Sequence, residues 1–478
     1  VRRTQLHLKN SAPVHIVVKR ESNVRLPEAP ARAIVTQRTT RLMRYSRTRF
    51  MQAVDLLGEV LSAPEPAERS VEKFFRRNKQ MGSKDRRTTS EIVYLCVRRK
   101  LELETLVKLS GVSAPSDIEA IVSSGLLRYF GWLPAYFKDT NAAPYIASLS
   151  LYLSQLNDDV LALSEKLNLP NWLFHAMRSQ FDEQALIDLG MALLQPAEVD
   201  IRANTLVNDQ AQLLSALKKQ GVEVEAARFA ETGLRVAKRG PLQNSRSFRQ
   251  GGFEFQDEGS QLVSWLVHPE PGQLVVDYCA GAGGKTLHLA ELMRNQGRLI
   301  AADVQANRLA RLTPRLTRAK INIVETQVID EKAGAASFDP NLIGKVDCVL
   351  IDAPCSGVGT LRRNVGLKWT SQNLEALTAL QSNILESAAQ LVKPGGVLVY
   401  ATCSFLHDEN QCVVDLFLSK NKHFMRSQNW IGSSDSGLAR IRGVDASLAK
   451  QIQSRGELVL RPDLHDTDGF YAQRLERI

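Results

Sequence analysis

Cysteine is scarce in this chain, with six in 478 residues, and no two of them are spaced as C-x-x-C. That excludes a disulfide scaffold and structural zinc of the usual spacing, and it fits a reducing cytosol. Long apolar runs are missing as well. No stretch approaches 18 uninterrupted apolar residues, and the N-terminal region has no apolar core of the kind a secretory signal needs. The expectation is a soluble cytoplasmic protein with no membrane partner. Compositional extremes are absent too. Hydrophobic residues make up 44% and charged residues 23%, the proportions of a chain that buries a core, which excludes fibrous and disordered classes.

What is present begins with charge. The formal net charge is +10, and it is unevenly placed. Residues 1–42 hold nine Lys and Arg against two acids, residues 43–100 add a further basic excess, and from residue 101 onward there is no positive excess. A basic end beside a near-neutral body is an electrostatic footprint for a polyanion, though only for non-specific attraction. Residues 1–42 show no sustained period, and the first Met is Met43. Three readings of them stay open: a loose tail, an organellar transit peptide, or a region ahead of a misplaced start codon.

At 478 residues the chain has room for two to four domains. Over residues 43–190 apolar side chains recur at helical spacing, as in Phe50, Val54, Leu57 and Leu61, and an all-α domain is expected. Within it, FFRRNKQMGSKDRRTTSEIVYLCVRRK sets aromatics among cations, which suits phosphate contacts and suits a solvated helix face equally well. Residues 196–250 read as a small α+β unit: EVDIRANTLV a strand, DQAQLLSALKKQG a helix ended by Gly221, VEVEAARF a strand. From 251 to 478 apolar runs alternate with helices, as in LVVDYCA, RLIAADV, INIVETQVI, VDCVLIDAP and VLVYATCS, which predicts an α/β domain with a mostly parallel sheet. ELVLRP and GFYAQRLER read as a strand pair added to that sheet, and 422–456 carries no assignable pattern.

The run Val275 to Thr286, VVDYCAGAGGKT, is a buried strand entering a Gly-rich turn and a helix, a construction that brings backbone N–H groups against a ligand. Two nucleotide readings fail letter by letter. A P-loop needs Gly at 279, where Cys stands, and a dinucleotide G-x-G-x-x-G from Gly281 needs Gly at 286, where Thr stands. The remaining ligand is a nucleoside such as S-adenosylmethionine, whose ribose wants a carboxylate at the next strand end. Asp303 sits there, and Asp330 and Asp352 follow at the next two strand ends.

Two thiols follow apolar strands directly, Cys355 in DAPCSG and Cys403 in TCS, whereas Cys96, Cys348 and Cys412 read as inert buried residues. A thiol at the mouth of a parallel sheet is a candidate nucleophile. Methyl donor and thiol together point to one chemistry. C5 of a pyrimidine is a poor nucleophile until a thiolate adds at C6 and makes the ring an enamine, and an acid near N3, here Asp352, helps that addition. Spacing does not say which thiol attacks.

With FRQGGFEFQDEGSQLV, DYCAGAGGKT, AADV, DAPCSGVGTLRRN, LVKPGGVLVYATCSF, DEN and DGFYA in this order, the chain resembles Sun/Fmu-type RNA 5-cytosine methyltransferases of the ribosomal RNA small subunit methyltransferase B kind. The resemblance is strong over 250–478 and weaker ahead of it. It implies a class I methyltransferase domain with a Rossmann-like sheet. It also implies an S-adenosylmethionine site made of Cys279, Ala280, Gly281, Ala282, Gly283, Gly284, Lys285, Asp303, Arg308, Asp330 and Asp352, and no metal. Lys285 and Asp352 would also face the cytosine, Cys403 would be the C6 nucleophile, and Cys355 would assist product release. The family's common turn is CAAPGGKT, and Ala282 replaces its Pro, which frees φ there. The helical region resembles a NusB-like RNA-binding domain and 196–250 an RRM-like subdomain. The implied partner is RNA, with 16S ribosomal RNA as the expected target and a monomer as the expected state. A transfer RNA cytosine methyltransferase and a non-catalytic RNA-binding or ribosome assembly factor remain as rivals.

Overall fold

A computed structural model describes residues 47–63, 65–138, 142–237, 240–428 and 446–478. The basic extension 1–42 lies outside the described residues, as does 429–445 within the unassigned segment 422–456.

The first part is all-α, as its 3.6-residue period predicts. Helices Arg47–Ser62, Ala67–Arg77, Ser83–Arg98, Lys100–Ser110, Asp117–Tyr129 and Ala143–Ser154 are followed by Leu163–Lys166, Asn171–Arg178 and Glu183–Leu193. Phe50, Leu56 and Leu57 of the first face Ile92, Val93 and Cys96 of the third in one buried cluster. Two helix starts are held by side-chain caps, Ser116 accepting from the Glu119 N–H at 3.1 Å and Asp182 from the Ala185 N–H at 2.8 Å. The basic helices are less free than their composition suggests: Lys73, Arg76, Arg77 and Arg87 pair with Glu65, Glu72, Glu59 and Glu91.

A four-stranded antiparallel sheet follows, from β1 (Val199–Ala203), β2 (Val224–Ala226), β3 (Gly233–Val236) and β4 (Phe253–Phe255), in the order β2-β3-β1-β4. With helix Gln210–Lys219 after β1 and the single turn Arg246–Arg249 before β4, this is the βαββαβ plan of a ferredoxin-like or RRM-like unit. Three details differ from the sequence expectation. The strand in EVDIRANTLV stops at Ala203, because Asn204 accepts from the Leu206 N–H at 3.0 Å and donates to the carbonyls of Gly251 and Ala319, turning the chain. VEVEAARF supplies only three strand residues. The sheet also takes in β4, which pairs with β1 beyond the expected boundary at 250.

The large sheet holds β5 (Leu274–Asp277), β6 (Arg298–Asp303), β7 (Val324–Val328), β8 (Val346–Asp352), β9 (Val392–Thr402), β10 (Phe424–Arg426), β11 (Glu457–Leu460) and β12 (Phe470–Arg477). Their order is β7-β6-β5-β8-β9-β12-β10, with β11 also on β12. The first five are parallel and β12 is antiparallel to β9, so the sheet is mixed but mostly parallel. Val275, Val276, Val349, Leu350, Leu398 and Val399 are all fully buried, the pattern of strands covered on both faces. The expected terminal strand pair is β11 and β12.

The helical part docks on the loops that leave β8 and β9. Trp369 Nε1 donates to the Val97 carbonyl at 2.8 Å, and Gln180 Nε2 donates to the Phe405 carbonyl at 3.0 Å. Val358, Leu361, Phe405 and Leu406 pack among leucines of residues 167–193. Among the described residues no helix is long and apolar enough to cross a membrane.

Candidate active site at the carboxyl edge of the parallel sheet

Each strand of the parallel part delivers a group to one edge. After β5 the chain turns through Tyr278 to Gly283 into helix Gly284–Leu292, and the turn depends on left-handed backbone at Gly281 (φ +57°) and Gly283 (φ +84°). At Gly283 a Cβ would also drive into Leu312. Asp303, the last residue of β6, is 4% exposed and ties this turn to its own. Its carboxylate accepts from the Gly281 N–H and the Gln305 N–H, both at 2.8 Å, while Arg308 approaches to 3.6 Å. Asp330, two residues past β7, is exposed and accepts from the N–H groups of Lys332 and Ala333 at 2.9 and 2.8 Å. Asp352 ends β8, and its carboxylate receives Lys285 Nζ at 2.8 Å.

The two thiols meet. Cys355 Sγ and Cys403 Sγ lie 3.3 Å apart, brought there by the adjacent parallel strands β8 and β9. The hydrogen bond to Cys403, burial and the Cys403 and Glu409 charges all push the Cys355 thiol well above its ordinary range. That direction favours the protonated thiol at Cys355. Burial opposes the Lys285 charge, but Asp352, with Cys403 and Asp277, outweighs it and the ammonium is held above its usual range. Lys285 Nζ also sits 5.1 Å from the ring centroid of Phe470 in DGFYA.

These groups open on a single cavity of about 1230 Å³, lined by Cys279, Ala280, Ala282, Gly284, Lys285, Asp303, Arg308, Asp330, Asp352, Cys355 and Cys403 among others. Of the expected site residues only Gly281 and Gly283 are outside its lining, and they shape the turn instead. Cys96 and Cys348 are buried and pushed up to about 12, inert as expected, whereas Cys412 is exposed on helix Gln411–Lys420, a correction to its reading as a buried residue.

The residues fit a nucleoside with a charged tail. Asp303 offers a carboxylate at the mouth, and beside it Val304 stays 45% exposed in the cavity, an apolar surface for a base. At the floor, Asp277 is fully buried, takes the Thr286 hydroxyl at 2.6 Å on one oxygen and has no partner among the described residues on the other. Burial, reinforced by Asp352 and Asp303 and opposed by Thr286, pushes its carboxyl up to about 7. Asp277 is absent from the sequence-derived site although it ends the VVD strand of the same motif. The DEN residues Glu409 and Asn410 also gain their place only here, since a hydrogen-bonded brace leaves no spacing signal.

A strand order with an antiparallel β12 beside β9, a Gly-rich turn after β5 and an acid ending β6 define a class I S-adenosylmethionine-dependent methyltransferase. Comparison with known proteins agrees. Residues 264–476 match the family described as 16S rRNA methyltransferase RsmB/F, and residues 169–243 match the ferredoxin-like domain of RsmF/B-like methyltransferases. The chain is 29% identical to a probable ribosomal RNA small subunit methyltransferase B of Synechocystis sp., over 82% of this chain and 91% of that protein. It is also 29% identical to the ribosomal RNA small subunit methyltransferase B of Pseudomonas syringae pv. tomato, over 83% and 90%. Among solved structures, that of PH0851 superposes with a TM-score of 0.69 at 25% identity, covering 91% of this chain and 100% of that one. These matches support a Sun/Fmu-type rRNA methyltransferase.

Proposed function

We propose that this protein methylates C5 of a cytosine in 16S ribosomal RNA by way of a covalent Cys403–C6 adduct. The observation that carries the reading is the 3.3 Å contact of two thiols in the cavity that also holds the Lys285–Asp352 pair. S-adenosylmethionine supplies a methyl group on a sulfonium. Everything else falls to side chains of this chain. Cys279 to Lys285, Asp303, Arg308 and Asp330 would hold the donor, with Asp303 the carboxylate offered to ribose hydroxyls.

The target base leaves its stack to reach the cavity. Asp352, held by Lys285, passes a proton to N3 as the Cys403 thiolate adds at C6. C5, now part of an enamine, takes the methyl group. The C5 proton passes to solvent, N3 returns its proton to Asp352 and the Cys403 thiolate departs, which restores the aromatic ring, and the Cys355 S–H stabilises the departing sulfur. The helical region acts as a NusB-like RNA-binding domain, and its seat on the loops after β8 and β9 supports a role in presenting RNA to those loops. Action as a monomer in the cytoplasm completes the proposal.

Cys403→Ala is expected to abolish transfer of labelled methyl groups to small-subunit RNA, and Cys355→Ala to accumulate a denaturation-resistant protein–RNA adduct. Full activity of the Cys403 variant overturns the assignment. Bisulfite mapping of RNA from cells lacking the protein identifies the cytosine.

A further inference from the structure

Glu409 and Asn410 follow Cys403 by six and seven residues, and neither side chain reaches the cavity. Both are buried, at 0% and 2% exposure. Glu409 ends the short turn His407–Glu409, and its carboxylate accepts three hydrogen bonds: the Ser356 N–H at 2.7 Å, the Ser356 hydroxyl at 2.5 Å and Gln381 Nε2 at 3.1 Å. Only donors face it, which is the environment of a charged carboxylate. Gln381 Nε2 also donates to the Pro354 carbonyl at 3.0 Å, so both neighbours of Cys355 are tied to this one acid. Asn410 does the same for Cys403. Its oxygen accepts from the Thr402 hydroxyl at 2.5 Å and its amide donates to the Ser404 carbonyl at 3.0 Å, gripping the residues on each side of the thiol.

We propose that Glu409 and Asn410 are positioning residues that form one brace for the two thiols: Asn410 fixes the turn bearing Cys403, Glu409 fixes the turn bearing Cys355, and the Glu409 carboxylate sets its buried charge beside Cys355. The inference rests on the thiol chemistry proposed above and extends it, because a sulfur–sulfur distance of 3.3 Å is useful only if it is held and only if one sulfur ionises. Two consecutive residues suffice for both requirements, since the loops after β8 and β9 lie side by side on adjacent parallel strands.

The groups facing the Cys355 sulfur come from several elements. Cys403 approaches from the end of β9, Glu409 from the following turn and the Gly357 N–H from the Cys355 turn itself, and only the last favours a thiolate at Cys355. Tyr400 of β9 donates its hydroxyl to the Glu409 carbonyl at 2.6 Å. Lys285, paired with Asp352 at 2.8 Å, lines the same cavity as Cys403.

The test is alkylation of the full chain with iodoacetamide from neutral to alkaline pH, with Cys355 and Cys403 peptides quantified separately by mass spectrometry. Methyl transfer and binding of S-adenosylhomocysteine are measured on the same preparations. Glu409→Gln removes the charge and keeps an oxygen acceptor. The expected result is alkylation of Cys355 about tenfold faster at neutral pH, its profile moved about one unit lower, together with slower methyl transfer. Ser356→Ala keeps the charge but drops one tether, so methyl transfer falls while the Cys355 profile stays in place. Asn410→Ala lowers methyl transfer with the Cys355 profile likewise unmoved.

An unchanged Cys355 profile in a Glu409→Gln protein that still binds S-adenosylhomocysteine overturns the charge assignment, and full methyl transfer in both Ser356→Ala and Asn410→Ala overturns the brace. If Glu409→Gln fails to fold, these two milder variants decide. Activity of Cys403→Ala overturns the methylation mechanism itself and is read in a separate assay from the alkylation profile.

Discussion

Arg202 and Glu291 form an ion pair across two units of the fold with both side chains essentially sealed from solvent, at 0% and 1% exposure. Arg202 Nε and Nη2 reach the two carboxylate oxygens at 3.0 and 2.6 Å, the parallel fork geometry of a strong guanidinium–carboxylate contact. Arg202 lies on β1 of the small sheet, and Glu291 lies on the helix that begins at the cofactor turn. Arg202 also bonds Gln256 and approaches the Gly284 carbonyl at 3.4 Å. The small sheet is thereby fastened to the element that presents the Gly-rich turn.

Removing one partner of such a pair leaves the other charge buried and alone, which costs about 3–5 kcal/mol. Arg202→Met is expected to lose stability on that scale in urea unfolding and to weaken S-adenosylhomocysteine binding, because the helix behind the turn loses its anchor. A loss below about 1 kcal/mol, the range of an exposed pair, contradicts the reading.

Asp303 gives a prediction confined to the proposed cofactor site. Its carboxylate organises the Gly281 and Gln305 N–H groups and is the acid available to ribose hydroxyls. Hydrogen bonds to a charged group contribute about 1.5–3 kcal/mol, so Asp303→Ala is expected to weaken S-adenosylhomocysteine by about tenfold to a hundredfold in calorimetric titration. Unchanged affinity places the ribose elsewhere.

Most of this site is legible in the sequence because its chemistry sits where long buried strands end. VVD, IAAD, VLID and VYAT are apolar runs that stop at an acid or a turn, so strand, edge and functional group are read together. The small sheet is harder, since Gly233–Val236 and Phe253–Phe255 are too short to show a period and are fixed by pairing with β1 from far along the chain. Long-range partners also escape. The basic helices look like a free cationic face until Arg77 is found on Glu59 and Arg49 on Asp85, contacts between helices that no i,i+4 rule supplies. Glu409 is invisible for the same reason, because its meaning lies in Ser356, 53 positions away.

Asp277 predicts a pH dependence. Its carboxyl rises from an ordinary 3.8 to about 7 in the fold, so the folded state retains a proton that the unfolded chain has lost. Below the unfolded value both states are protonated and nothing is lost. As pH climbs from about 4 to 7 the unfolded state alone ionises, and stability falls by up to about 4 kcal/mol before levelling off. Asn at this position cannot titrate and still accepts from Thr286. Asp277→Asn is therefore expected to gain stability over the parent across that window, measured by denaturant unfolding at a series of pH values. A constant difference between the two proteins from acid to neutral pH contradicts the assignment.

Gly359, in the SGVG segment that follows Cys355, packs backbone to backbone against Gly469 of the DGF segment. The Gly469 N–H donates to the Gly359 carbonyl at 2.8 Å, and the Gly359 N–H donates to the Cys403 carbonyl at 3.0 Å. A Cβ at 359 would collide with the Gly469 carbonyl oxygen and press on that of Cys403. Neither neighbour is a flexible side-chain end, so the clash can be relieved only by moving the loops that carry both thiols and Phe470. Gly359→Ala is expected to destabilise the protein by about 1–3 kcal/mol, the usual cost of overpacking. It is also expected to cut methyl transfer far more than it weakens S-adenosylhomocysteine, because Asp303 and the Gly-rich turn lie on other strands. Equal losses of binding and transfer would mean that the whole cavity, and not the thiol pair, depends on this contact.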